Sequence, residues 1–212
     1  MLMADYFDEE FGGNYLFTKQ FEPIKNIKQD CAILQQLILN KFGPDHPEAS
    51  REVYFYGSYY TALFKKYNAL LTPTRGFYEL YNLIKECFHN LPESEKRDEP
   101  FYAQCWMNMY DSDHFIDWHK HWDAEYDVWH GFYCASIPSD SGTWYRIPSL
   151  SEELYIPSVE GKMVIGKSAD DMHKSTPVNG EEKRITIAFD IVPCSVVQQD
   201  NDRDKLNFWI PI

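Results

Sequence analysis

The feature that most constrains the fold of this chain is a strictly alternating run near its C-terminal end, RITIAFDI at residues 184–191. Successive side chains of a β-strand point to opposite faces, so one face of this strand would be wholly apolar. The other face would carry Arg184, Thr186, Ala188 and Asp190. Residues 104–110 alternate in the same way. An apolar face suits packing under helices, whereas the polar face would look either to solvent or into a cavity between two sheets.

The rest of the chain divides at about residue 100. Apolar residues at helical spacing predict amphipathic helices over 24–41 and from Thr74 to about residue 91. Residues 101–193 consist of short runs rich in Tyr, Trp, Ile and Val, broken by turn residues, which is typical of many short strands. We therefore predict one domain over 1–212, with an N-terminal helical support region (1–100), a β-sandwich core (101–193) and a C-terminal extension (194–212). The tyrosine-rich segment 53–60 could be a lid or a packed strand.

Composition excludes several classes of partner. The formal net charge of -13 would repel a phosphate backbone, so a nucleic-acid partner is not expected. No apolar run approaches the roughly 18 residues of a membrane helix, and no secretory signal opens the sequence, which predicts a cytoplasmic protein without membrane contact. Five widely spaced cysteines in apolar surroundings indicate reduced core thiols. A metal site would therefore depend on histidine and carboxylate.

Histidines cluster in the middle of the chain. In WHKHWDAEY (118–126), His119 and His121 would point to the same side of a strand. His121 and Asp123 form a His-x-Asp pair, and His173 is the one histidine downstream of the cluster. Two histidines and one carboxylate can form the facial triad of non-haem iron enzymes, which leaves open positions for substrate and dioxygen.

The ordered set His121, Asp123, His173, Arg184 and Thr186 resembles the motif of the 2-oxoglutarate/Fe(II)-dependent oxygenase superfamily, particularly its prolyl-hydroxylase-like members. The arginine follows the second histidine by eleven positions and begins an Arg-x-Thr sequence on a predicted strand. The resemblance covers residues 101–193. It implies a mainly β fold with flanking helices, in which a double-stranded β-helix (jelly-roll) core is buttressed by the N-terminal helices.

The resemblance also implies the chemistry. Fe(II) would be held by His121, Asp123 and His173, with 2-oxoglutarate and O2 as co-substrates and a hydroxylated C–H bond as the outcome. The substrate would be a prolyl or other amino-acid residue in a peptide or protein, or a small molecule. His119 would lie beside the iron without binding it. Residues expected to contact 2-oxoglutarate are Arg184, through the far carboxylate, and Thr186, Tyr110, Asn108 and Tyr133.

Two other functions remain open at this point. His119-Lys-His121 followed by Glu125 and Gly131 is close to the first motif of the cupins, which are metal-binding β-sandwich proteins that need no 2-oxoglutarate. Asp113 stands where that motif has a glycine, the Glu-to-Gly spacing is one residue short, and cupins give no reason for Arg184. The third possibility is a non-catalytic binding module on the same scaffold. Each remaining histidine, His130 among them, is predicted to be an ordinary polar residue.

Overall fold

The computed structural model describes residues 6–42, 67–138, 140–168, 172–199 and 209–212, so the segment 53–60 lies outside the described residues. Both predicted helices are present: α1 spans Ile27–Phe42 and α2 spans Arg75–His89, with Thr74 as its N-cap. A short third helix, α3, spans Cys194–Gln199. Among the described residues no helix is both long and apolar enough to cross a membrane.

The strands of the described residues form two antiparallel sheets. The strands in chain order are β1 (Glu9–Phe11), β2 (Leu16–Gln20), β3 (Phe101–Tyr110), β4 (Trp129–Ser136), β5 (Gly142–Arg146), β6 (Leu154–Pro157), β7 (Lys162–Lys167), β8 (Met172–Ser175), β9 (Arg184–Pro193) and β10 (Ile210–Pro211). The larger sheet has the order β1-β2-β7-β4-β9-β3-β10, and the smaller has the order β6-β5-β8. This arrangement confirms the predicted mainly β fold with flanking helices.

The apolar faces of β3 and β9 pack under the helices. The two strands are paired along their whole length, so their alternating patterns coincide. Met107 and Phe189 are fully buried in one cluster with Leu34 of α1 and Leu80 of α2. Burial of a side chain of this size contributes about 1.5–3 kcal/mol to the free energy of unfolding. The predicted helix-covered face is therefore confirmed.

The polar faces of the same strands look inward. Asn108 lies opposite Thr186, and Tyr110 lies opposite Arg184. All four of these residues are buried, and they line a cavity. Thr143 of β5 and Ser175 of β8 line the same cavity, so it lies between the larger and the smaller sheet. The choice between solvent and cavity, which alternation alone leaves open, is resolved in favour of a cavity.

The N-terminal region contributes strands as well as helices. β2 pairs with β7, with Leu16 opposite Gly166, and β1 extends the same sheet. The prediction of a purely helical support before residue 100 is therefore incomplete. The strand β2 has five residues, and its pairing partner is distant in the sequence, so periodicity within the segment gives no sign of it.

The cysteines agree with the expectation of reduced core thiols, since all five are free. Cys194 is partly exposed, and the other four are buried: Cys31, Cys87, Cys105 and Cys134.

Candidate metal and co-substrate site

A two-residue β-bridge brings His119 and His173 together. The backbone N–H of His119 donates to the carbonyl of His173 at 3.1 Å, and the reverse bond measures 3.0 Å. Residues paired in this way place their side chains on the same side of the ladder. The two imidazole rings accordingly lie with their centroids 4.3 Å apart.

His121 lies two positions after His119 in the chain, and its ring is close to both of these histidines. Its ring centroid lies 5.3 Å from that of His119 and 5.2 Å from that of His173. One ligand nitrogen from each of the three residues lies within 4.8 Å of the other two. Imidazole nitrogens bind ions such as Zn²⁺ at about 2.0–2.1 Å, so small side-chain rotations would bring these nitrogens to one ion. The three histidines can therefore hold a metal.

The ring of His119 is neutral and its tautomer is fixed. Burial lowers its pKa well below the usual value, and the neighbouring His173 and His121 add to the effect. Its Nδ1 lies 2.7 Å from the carbonyl oxygen of Asp117 and so carries the proton. The lone pair is then on Nε2, which is the form of histidine that binds metals.

A second group of potential ligands shares His121. It consists of His121, His130 and Asp190. The carboxylate of Asp190 is buried on β9 and accepts hydrogen bonds from Nδ1 of His121 at 3.1 Å and Nδ1 of His130 at 2.8 Å. Nε1 of Trp122 donates to its other oxygen at 3.0 Å. Burial alone would raise the pKa of Asp190, but the two histidines outweigh that effect and hold it well below the usual value.

The histidines line the cavity between the sheets. Its volume is about 50 Å³, several times the roughly 10–15 Å³ that a cavity needs in order to hold one water. The described residues that line it include no Asp or Glu. They are Trp106, Asn108, Tyr110, Ile116, His119, His121, His130, Phe132, Thr143, His173, Ser175, Arg184, Thr186 and Ala188.

Arg184 places a positive charge in this cavity. The residue is 1% exposed, and its Nη2 donates to Ser158 Oγ at 3.2 Å. Its Nε and Nη1 are buried and have no hydrogen-bond partner among the described residues. The guanidinium lies 5.1 Å from the ring centre of Tyr110. An unpaired buried cation is costly unless an anion joins it, so the site is suited to an anionic ligand.

Most of the residues predicted for the site lie together, but two do not. His121, His173, Arg184, Thr186, Tyr110 and Asn108 all line the cavity. Tyr133 lies on the opposite face of β4, where its hydroxyl accepts from the backbone N–H of Ile24 at 2.9 Å. It alternates with Phe132, which does line the cavity, so the pleat of the strand turns it away.

Asp123 is the other predicted residue outside the cavity. Its side chain is 59% exposed and forms an ion pair with Lys120. It belongs to neither group of potential ligands. Ligation by Asp123 therefore stays a prediction that the geometry does not support. Glu125, the carboxylate that a cupin site would use, is also exposed.

Sequence reasoning assigns no metal-binding role to three residues of the site. It puts His119 beside the metal rather than on it, predicts that His130 is an ordinary polar residue, and places Asp190 on the polar face of its strand without a role. The two-residue spacing of His119 and His121, which puts both side chains on the same side of an extended segment, could have indicated that His119 belongs to the site. The contact between His130 and Asp190 depends on the pairing of β4 with β9, which one sequence does not reveal.

No protein-family model and no curated protein matches this sequence. Solved structures do resemble the fold. A Pseudomonas putida prolyl-4-hydroxylase superposes with a TM-score of 0.60 and 10% identity, over 91% of this chain and 100% of that chain. A Trichoplax adhaerens prolyl hydroxylase in complex with a hypoxia-inducible-factor peptide fragment gives 0.56 and 10%, over 87% of each chain. The non-haem α-ketoglutarate-dependent carbocyclase SnoK from nogalamycin biosynthesis gives 0.57 and 10%, over 86% and 81%.

These similarities define the class of fold. The chain has the jelly-roll fold of the 2-oxoglutarate/Fe(II)-dependent oxygenases, and prolyl hydroxylases are among its structural neighbours. This confirms the fold that the motif resemblance implied. At 10% identity the similarity concerns the fold, and function has to be argued from the site.

Proposed function

We propose that this protein is an Fe(II)- and 2-oxoglutarate-dependent oxygenase, which couples oxidative decarboxylation of 2-oxoglutarate to hydroxylation of a substrate C–H bond. One observation carries the proposal: a buried arginine, two of whose nitrogens have no partner within the described parts of the chain, shares a cavity with a cluster of histidine nitrogens within 4.8 Å of one another. Clustered histidines alone would suit many metal proteins. The buried cation adds a requirement for an anion next to the ion, and a dicarboxylate that also chelates the metal meets that requirement.

The histidines on one wall of the cavity would hold the metal. His121 and His173 would contribute neutral imidazoles, and the open space between the sheets would take the co-substrates. Iron bound there supplies the activation of dioxygen and the chelation of a 2-oxo acid. The protein binds, orients and encloses the reactants.

The start of β9 holds the far carboxylate of 2-oxoglutarate. Nε and Nη1 of Arg184 have no hydrogen-bond partner among the described residues, so the guanidinium can donate charge-assisted hydrogen bonds to a carboxylate. Thr186 lies one pleat along on the same face and offers a hydroxyl. Asn108, opposite Thr186, has a buried Oδ1 with no partner among the described residues, and Tyr110 flanks the guanidinium.

The depth of the site excludes water from the reaction. Arg184, Thr186 and His173 are each no more than 6% exposed. In such surroundings the attraction between a guanidinium and a carboxylate is much stronger than in bulk water. Exclusion of water also protects reactive species formed at the metal.

We extend the proposal to the substrate class, a prolyl or other amino-acid residue in a peptide or protein. Its support is the likeness to the two prolyl hydroxylases, one of which is in complex with a peptide fragment. SnoK has the same fold and is a carbocyclase, so the fold hosts other reactions and the substrate has to be found by assay.

The test is anaerobic addition of Fe(II) and 2-oxoglutarate to the metal-free protein, with Arg184→Met beside the wild type. A chelated complex gives a weak visible charge-transfer band, which we expect in the wild type. Arg184→Met should need far more 2-oxoglutarate to produce it. Arg146→Met is the matched control, because Arg146 is exposed and paired with Glu153.

Admission of oxygen should then release succinate from the wild type, and candidate peptides can be screened by the increase in that release. Metal binding without the band would contradict the proposal and favour a cupin-like metal protein. A band without succinate release for any substrate would favour a non-catalytic binding module.

A further inference from the structure

We propose that the metal is held by three histidines, His119, His121 and His173, and by no carboxylate. Asp190 is a positioning residue, which orients His121 by accepting a hydrogen bond from its Nδ1. The inference rests on the proposed function, since it specifies the ligands of the same site. It replaces the His-x-Asp pair at 121 and 123 by a His-x-His pair at 119 and 121.

The backbone geometry places all three rings on one side. His119 and His173 are a directly opposed pair, held by two backbone hydrogen bonds of 3.1 and 3.0 Å. His121 follows His119 by two positions, which returns an extended chain to the same side. The intervening residue, Lys120, is exposed on the other side. The three ligand nitrogens are gathered without any rearrangement of the backbone.

Two of the three rings have an outer hydrogen-bond partner. Nδ1 of His119 lies 2.7 Å from the carbonyl oxygen of Asp117, so Nδ1 carries the proton and Nε2 carries the lone pair that can bind an ion. Nδ1 of His121 lies 3.1 Å from Asp190, with the same consequence. A carboxylate or carbonyl that accepts the outer N–H of a metal-binding histidine fixes its tautomer and strengthens its donor atom.

Asp123 lies on the wrong side for a ligand. Its ion pair is with Lys120, the residue that points away from the cavity between His119 and His121. The chain turns immediately afterwards into a single helical turn at Ala124–Tyr126, for which Asp123 is the N-cap. The carboxylate therefore stays in solvent.

Asp190 is close to His121 and His130, but both of its oxygens already accept hydrogen bonds, three in all. One oxygen accepts from two imidazole N–H groups, and the other accepts from Trp122 Nε1. A metal at this point would have to displace the protons that those bonds contain. Asp190 is also absent from the cavity lining, whereas His119, His121 and His173 all belong to it. The open space that a co-substrate needs lies beside the three histidines.

The charge of the centre follows from this ligand set. Three neutral imidazoles leave the full 2+ charge on the ion, where a facial triad with a carboxylate would leave 1+. Together with Arg184 in the same cavity, the centre presents strong positive potential to an anionic co-substrate. The compensating negative charge is that of Asp190, which contacts His121 rather than the ion.

The experiment is an anaerobic Co(II) titration of the metal-free protein, followed by the visible absorption of the bound ion, with single variants. Wild type should bind one equivalent. His119→Ala should lose that binding, and Asp123→Ala and His130→Ala should retain it. If Asp123→Ala or His130→Ala loses the ion while His119→Ala keeps it, the three-histidine assignment is overturned and the proposed oxygenase function still stands.

X-ray absorption at the metal edge of the wild-type Fe(II) protein gives a second measurement that depends on no variant. Scattering from three imidazoles supports the assignment, and scattering from two with a carboxylate overturns it. Failure of the wild type to bind either ion would overturn both proposals. Three imidazoles without a 2-oxoglutarate charge-transfer band would leave the metal site in place and remove the oxygenase function.

Discussion

His130 and Asp190 face each other across the paired strands β4 and β9, and Nδ1 of His130 donates to the Asp190 carboxylate at 2.8 Å. The same oxygen accepts from His121 of the metal cluster. One carboxylate thus connects the β4–β9 pair of the large sheet to the wall of the cavity, and the orientation of His121 depends on it.

Asp190→Asn should weaken metal binding without abolishing it. An amide has one acceptor oxygen, and its NH2 group would meet either an imidazole N–H or Trp122 Nε1–H, so His121 loses its orientation. Loss of such an outer partner costs about 10–100-fold in metal affinity. An anaerobic Co(II) titration measures this, with the exposed Asp123→Asn as the control. Unchanged affinity would show that Asp190 does not position His121, and complete loss in a folded variant would show that it is a ligand.

Arg184→Met should abolish the stabilisation by 2-oxoglutarate without lowering the stability of the ligand-free protein. Each unsatisfied buried polar group costs about 1–3 kcal/mol. Two nitrogens of the Arg184 guanidinium have no partner in the part of the chain that the structure describes, so its removal should not lower the unfolding temperature of the ligand-free protein. In the Co(II)-loaded wild type, 2-oxoglutarate at about 100 times its Kd should add about 2.7 kcal/mol. We expect that increment in thermal melts of Arg146→Met and its absence in Arg184→Met. A marked loss of ligand-free stability in Arg184→Met would mean that the arginine is structural.

Gly131→Ala should destabilise the fold. A Cβ at this position of β4 would lie 2.3 Å from the backbone oxygen of Val164 and 2.4 Å from Cζ of Phe189. Both contacts are too short, and the first is with backbone of a paired strand that cannot move aside. Overpacking of a core typically costs about 1–3 kcal/mol, and urea unfolding measures it. Wild-type stability in the variant would indicate that β4 and β7 separate more easily than their pairing implies.

The buried thiols should be inert while the protein is folded. Burial raises the pKa of Cys31 and of Cys87 to about 12. At pH 8 the reactive thiolate is then about one part in 10⁴ for each. A disulfide reagent should therefore label Cys194 first, and Cys194→Ser should remove the fast phase. Rapid labelling of more than one thiol in native protein would contradict the buried positions.

The same pKa shifts predict the direction of alkaline unfolding. A folded-state pKa above the unfolded one stabilises the protein fully below the unfolded value, and the stabilisation is lost as the pH rises through the folded value. The free energy of unfolding should fall between about pH 9 and 12 as these thiols ionise in the unfolded state. Cys31→Ala should reduce that fall.

Local pattern was sufficient for the parts of the site that depend on one strand. The alternation in β9 placed Arg184 and Thr186 on a polar face, and the helical periodicity located α1 and α2 to within a few residues. It was not sufficient for β1 and β2, which are short and are stabilised by pairing with β7. The motif resemblance favours the His-x-Asp pair over the overlapping His-x-His pair, and spacing alone does not distinguish them.

The sequence by itself determined which side chains share a face, because the period of a strand is a local property of the backbone. It therefore determined that His119 and His121 point the same way and that Arg184 shares a face with Asp190. Only the tertiary structure decided what those faces meet. The bridge between His119 and His173 and the pairing of His130 with Asp190 join residues far apart in the chain, and strand register is set by the packing of the whole sheet. The choice between an exposed Asp123 and a half-buried His119 as metal ligand follows from that register.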